Sequence, residues 1–130
     1  MGMKLLLDTH TLLWALMEPD QLSPVALRAV EDGRNTLLVS AASAWEIATK
    51  HRLGRLPLAG AVVPAFSRHL KTLGADELPI SLEHALLAGS LRTEHRDPFD
   101  RMLAAQALIE GTPLVSNDRI FDDLSVPVLW

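Results

Sequence analysis

The chain has 130 residues, 48% apolar and 22% charged, with a net charge of −4; this is an ordinary globular composition, long enough for one domain with a real core. It has no cysteine, which excludes disulfides, Cys–zinc sites and thiol catalysis. The absence of any apolar run near the ~18 residues of a membrane span, and of a secretory signal before the first strand-like run, gives the expectation of a cytoplasmic protein, and the acidic balance argues against tight non-specific binding to duplex DNA.

Residues 3–7 read as a buried strand. Asp8-Thr9 then opens a helix whose apolar positions Leu12, Leu13, Leu16 and Met17 recur at helical spacing. Glu18-Pro19-Asp20 breaks it. Ser23-Pro24 starts a second helix, with Ser as cap and Pro at the first helical position, ending near Asp32-Gly33. Thr36 to Ser40 is the second strand, followed by a helix from Ala42 to about Leu53, stopped by Gly54. Residues 59–73 form a further helix that Pro64 kinks or delays. Leu78-Pro79-Ile80 is a short extended piece. Ser81 caps a helix over 82–91, and Asp97-Pro98 starts one that runs to Glu110 and ends at Gly111. Leu114-Val115 is a strand, Asn117 to Asp123 a short helix, and Pro127 to Trp130 a last strand. Strands alternating with helices predict a single α/β domain, a central parallel sheet of four to five strands flanked by helices, over residues 1–130.

In such a fold every strand ends, and every crossover helix begins, at the same rim, and ligands bind outside it. Asp8 and Asp118 follow strands; Glu46 and Asp100 lie near the starts of helices. All four are thereby assigned to one rim. Carboxylates crowded there repel unless a cation joins them, and hard oxygen donors suit Mg²⁺ or Mn²⁺. Each acid also has an ordinary reading. Asp8, Asp97 and Asp118 make good helix caps, and Glu46 pairs with Lys50 at i, i+4 on a solvated face. Asp97 is assigned mainly to capping and Asp100 to the site. Without the four rim acids the remaining charges balance, so the acidic total is compatible with a phosphate-bearing substrate.

Four segments carry a family resemblance. Leu6-Leu7-Asp8-Thr9-His10-Thr11-Leu12-Leu13-Trp14, Val39 to Lys50 (containing Ser43-Ala44-Trp45-Glu46), His95 to Ala107 (containing Asp97-Pro98-Phe99-Asp100) and Leu114 to Phe121 (containing Ser116-Asn117-Asp118) resemble, in order and spacing, the four motifs of PIN-domain ribonucleases. Within these the chain is most similar to VapC-type toxins of bacterial toxin–antitoxin pairs. The resemblance implies a parallel sheet between helices and an endoribonuclease whose Mg²⁺ or Mn²⁺ pocket is formed by Asp8, Glu46, Asp100 and Asp118. It implies hydrolysis by a water that the ion activates, leaving 5′-phosphate and 3′-hydroxyl ends. It also implies a homodimer and an antitoxin that lays a segment near the pocket with a basic side chain facing the acids. Ser116 stands where the fourth motif often has Thr, and Asp97 is an additional acid in the third.

Thr9, Asp97, Ser116 and Asn117 are candidates for holding waters or carboxylates in place. Lys50, Arg101 and Arg119, among the basic residues near the rim, are candidates for contacting the RNA backbone. His10 is expected to be a scaffold position at its helix start, and Trp14, Trp45 and Trp130 core residues. Two other functions fit less well. A phosphohydrolase using Asp8 as nucleophile wants a second Asp two residues on, where this chain has His10. A catalytically silent interaction module of the same fold is the other alternative; all four acids are present, so the sequence shows no sign of decay.

Overall fold

The computed structural model describes residues 2–130. Its five strands are β1 (Lys4–Leu7), β2 (Thr36–Ser40), β3 (Ala75–Leu78), β4 (Leu114–Val115) and β5 (Val128–Leu129). They form one sheet in the order β3-β2-β1-β4-β5, every neighbouring pair parallel. Leu5 and Leu7 of β1 belong to one apolar cluster, with Leu12, Leu13, Ile47, Val62 and Leu70. Leu6 between them belongs to the other, with Leu103, Ala107, Leu114 and Phe121. Alternate residues of a strand face opposite sides, so a run of three consecutive buried leucines records a sheet covered by helices on both faces.

The helices follow the turn chemistry. α1 (Thr9–Met17) is capped by Asp8, and α2 (Pro24–Glu31) by Ser23 with Pro at its first position. α3 (Ala41–Arg52) is capped by Ser40. The expected helix over 59–73 is broken into α4 (Ala59–Val62), a 3-10 turn (Val63–Ala65) and α5 (Phe66–Leu73), with Pro64 at the start of the turn, where its missing N–H costs nothing. α6 (Leu82–Ser90) has a reciprocal cap between Ser81 and His84. α7 (Pro98–Glu110) runs from its Asp97 cap to Gly111, whose φ of 64° suits glycine. α8 (Ile120–Asp123) is shorter than expected: Asn117 to Arg119 lead into it.

Two further expectations need correction. The third strand is Ala75–Leu78 rather than 78–80. It is an edge strand, and its Asp76 and Glu77 lower its apparent strand character while suiting an exposed edge. Trp45 is not a core residue; it is 59% exposed. α3 buries Ala42, Ser43, Glu46 and Ile47, which recur at helical spacing, and Trp45 falls off that face. Its ring packs edge-on against Phe99 at 4.7 Å. Trp14 and Trp130 do pack against the core and each other.

Candidate active site

β1 lies at the centre of the sheet. The chain leaves it toward β2 and β3 on one side and later returns to β4 and β5 on the other. Successive connections therefore diverge above the β1–β4 pair, which opens a crevice at the strand ends. Asp8 emerges from β1 and Ser116-Asn117-Asp118 from β4 at this gap. The Thr11 hydroxyl pins the two together by donating to the Val115 carbonyl at 2.8 Å.

A cleft of about 530 Å³ occupies the crevice, within the range of ligand sites; Asp8, Thr9, His10, Trp14, Glu46, Lys50, Asp97, Asp100, Asn117, Asp118 and Arg119 line it. The four rim acids thus converge on one cleft from four distant segments. Asp97, Asn117, Lys50 and Arg119 join them there, and Thr9 stands behind Glu46. His10 also lines the cleft and is exposed, so it belongs to the mouth of the site rather than to the scaffold.

Each carboxylate is held by identifiable groups. Asp8, only 6% exposed, accepts the Thr11 N–H at 2.8 Å. Burial pushes its pKa up, against the lowering effect of hydrogen bonds from Ser116 and Thr11 and of nearby His10. Ser116 is fully buried and its hydroxyl accepts the Asp118 N–H at 3.0 Å, which ties the loop after β4 to Asp8. Glu46 is 4% exposed. Its Oε1 accepts the Thr9 hydroxyl at 2.5 Å and its Oε2 pairs with the Lys50 ammonium. The i, i+4 pair anticipated on a solvated face therefore exists, but inside the cleft.

Asp97 caps α7, accepting the N–H groups of Phe99 and Asp100. That leaves Asp100 free to face the cleft, where His95 Nε2 lies 3.0 Å from its Oδ2. Burial raises the Asp100 pKa to about 6; the charges of Asp97 and Glu46 push the same way, and His95 opposes them. Asp118 accepts the Ile120 N–H at 3.0 Å through Oδ1. Lys50 is a balance of opposites: its partial burial lowers its pKa, but the Glu46 hydrogen bond and the charges of Glu46, Asp97 and Asp100 outweigh this and raise it.

Arg101 departs from expectation. It does not line the acidic cleft, and its guanidinium donates to the carbonyls of Ala88, Gly89, Leu91 and His95. It clamps the segment between α6 and α7, including His95, and four of its five N–H donors are taken up in doing so. A second buried network escaped the sequence reading. The Ser40 hydroxyl caps α3 and donates to Gln106 Oε1 at 2.5 Å. Gln106 Nε2 donates to the Pro79 carbonyl. The Ser40–Gln106 bond ties the cap of α3, which carries Glu46, to α7, which carries Asp100. A fully buried Gln in the otherwise apolar stripe Leu103-Ala104-Ala105-Gln106-Ala107 is the signal that could have revealed it.

Among the described residues, no three acidic or imidazole side chains are already gathered around one point as metal ligands. Two of the acids are engaged by internal partners, Glu46 by Lys50 and Asp100 by His95. The donor chemistry nonetheless fits a hard divalent cation. Every candidate ligand is a carboxylate oxygen, and the raised Asp8 and Asp100 are acids whose ionisation is costly while no cation is bound.

The model of the PIN domain family matches residues 5–127, and the chain belongs to that family. Within it the likeness is to VapC proteins. Ribonuclease VapC22 of Mycobacterium tuberculosis (strain ATCC 25618 / H37Rv) is 34% identical over 118 residues, spanning 88% of this chain and 86% of that protein. The fold matches the crystal structure of VapBC2 from Rickettsia felis bound to a DNA fragment from their promoter, with a TM-score of 0.71, 18% identity and 97% coverage of both chains. It also matches VapC20 of Mycobacterium tuberculosis, described as a sarcin-ricin loop cleaving toxin, with a TM-score of 0.63, 16% identity and coverage of 94% of this chain and 95% of that one. At such identities the two structures speak for the fold. The expected α/β architecture and family are borne out.

Proposed function

We propose that the protein is a metal-dependent endoribonuclease, the toxin of a toxin–antitoxin pair, that hydrolyses RNA phosphodiester bonds at the Asp8–Glu46–Asp100–Asp118 cleft. One observation carries this reading: four carboxylates from four separate motifs line a single cleft at the switch point of the sheet. A relative named a ribonuclease, aligned over most of both chains, supports it.

Bound by Asp8, Glu46, Asp100 and Asp118, Mg²⁺ or Mn²⁺ supplies an acidified water and Lewis acidity toward the phosphate. The chain's own residues prepare the site. Thr9 orients Glu46 through its hydroxyl. Ser116 and Thr11 fix Asp8 and the loop that carries Asp118. Asp97 holds the start of α7 so that Asp100 faces the cleft. Asn117 and Arg119 line the side next to Asp118, where Arg119 meets the RNA backbone as a phosphate partner. This chemistry needs no ribose 2′-hydroxyl, so preference for RNA arises from contacts outside the reacting phosphate.

An Asp8 nucleophile is disfavoured by geometry. The Thr11 N–H holds Asp8 Oδ1 at 2.8 Å, and the position two residues on, where such enzymes carry a second Asp, is the exposed His10 at the cleft. The partner is an antitoxin, in keeping with the VapBC complex of the same fold. Exposed Leu82 and Leu86 on α6 and Trp45 on α3 provide apolar surface for a partner or for homodimerisation. The site of action is the cytoplasm, where RNA is met. The test is incubation of the purified chain with single-stranded and looped RNA. Cleavage with Mn²⁺ that is lost in EDTA and in Asp8→Asn is the expected result. Intact RNA in Mn²⁺, or undiminished cleavage by Asp8→Asn, overturns the proposal.

A further inference from the structure

We propose that Lys50 is a built-in occupant of the metal site: its ammonium and the divalent cation compete for Glu46, so that metal binding releases Lys50 into the cleft. The inference rests on the function proposed above and adds a control on the same site. Both oxygens of Glu46 are engaged, Oε1 by the Thr9 hydroxyl and Oε2 by the Lys50 ammonium. The two partners differ in kind. A neutral hydroxyl uses one lone pair of a carboxylate oxygen and leaves another for an ion. An ammonium brings a full positive charge to the place where a second cation must sit.

The pair is not an ordinary solvated i, i+4 contact. The Glu46 side chain is 5% exposed and that of Lys50 29%, so the attraction is poorly screened. Helix geometry explains the reach. Side chains on a helix lean toward its N-terminus, and the N-terminus of α3 is the rim, so a lysine one turn beyond Glu46 delivers its ammonium back into the cleft. Arg119 provides the contrast: it lines the same cleft but makes no ion pair among the described residues. Of the two cleft cations, Lys50 is the one inserted among the carboxylates.

The test is direct titration of the full chain with Mn²⁺ at fixed pH and ionic strength, following free Mn²⁺ by electron paramagnetic resonance, for wild type, Lys50→Met and Lys50→Arg. Removing one positive charge a few ångströms from the ion predicts about tenfold tighter binding by Lys50→Met, with Lys50→Arg close to wild type. A second readout needs no variant. The acylation rate of Lys50 in the wild-type chain, measured by mass spectrometry, rises when Mn²⁺ replaces EDTA because the amine is freed from Glu46. Equal or weaker Mn²⁺ binding by Lys50→Met overturns the inference and leaves the nuclease reading standing, as does an unchanged Lys50 acylation rate. A wild-type chain that binds no Mn²⁺ removes both. If Lys50→Met does not fold, the acylation measurement decides.

Discussion

Asp100 offers a quantitative test of the site's electrostatics. Its carboxyl is raised from an ordinary value of 3.8 to about 6, first by burial and then by the charges of Asp97 and Glu46, with His95 opposing. A carboxyl raised on folding favours the folded state fully below its unfolded value, and that contribution is lost as the pH rises through its folded value. The relevant window therefore runs from about pH 4 to pH 6, and above it ionised Asp100 burdens the metal-free protein. A displacement of about 2 pH units corresponds to at most about 3 kcal/mol. Partial solvent access reduces this to on the order of 1–2 kcal/mol. Asp100→Asn removes the charge and keeps an oxygen that can accept from His95. In EDTA at about pH 8, urea unfolding should find the variant more stable than wild type by ~1–2 kcal/mol, the gap shrinking toward zero near pH 4.5. Mn²⁺ should reverse the order at high pH, because only the wild type gains binding energy from all four acids. A gap independent of pH, or a wild type that is the more stable protein at pH 8 in EDTA, refutes the reasoning.

Thr9→Val removes the hydroxyl that orients Glu46 and contacts Ser43; it should cost about 1–2 kcal/mol in urea unfolding and weaken Mn²⁺ binding, with Thr9→Ser restoring both. Arg101→Met strips partners from four backbone carbonyls. A loss of about 2–3 kcal/mol and faster amide exchange across residues 89–97 are expected, with little effect if the clamp is dispensable. Asp118→Asn keeps an oxygen to accept the Ile120 N–H, so stability should change by no more than ~0.5 kcal/mol, while RNA cleavage in Mn²⁺ should fall by about 100-fold or more, the scale seen when one transition-state stabilising group is removed.

The sheet was legible because its strands are buried on both faces: Leu5-Leu6-Leu7, Leu37-Leu38-Val39 and Leu114-Val115 are apolar runs too short for helices, separated by capped helical stretches. The acids were legible for a topological reason. Parallel strands and right-handed crossovers bring every strand end to one rim, so position along the chain predicts position in space. What stayed hidden depended on which way a side chain points. Arg101 follows Asp100 by one residue, and that rotation of about 100° along the helix turns it from the cleft to the carbonyls at the end of α6. The same rotation exposes Trp45 beside buried Glu46. The edge strand Ala75–Leu78 was hidden because an edge needs no apolar pattern; its pairing with β2 comes from backbone groups. The Ser40–Gln106 bond joins residues 66 positions apart, which no local pattern encodes.

In the proposed site the carboxylates of Asp8, Glu46, Asp100 and Asp118 share a divalent cation. Anomalous diffraction at the manganese edge from crystals soaked in Mn²⁺ addresses it directly. The predicted result is a peak in the cleft within coordination distance of Asp8 and at least two of Glu46, Asp100 and Asp118, absent from Asp8→Asn crystals. Well-ordered crystals with no peak among these side chains, or an equal peak in Asp8→Asn, would contradict it.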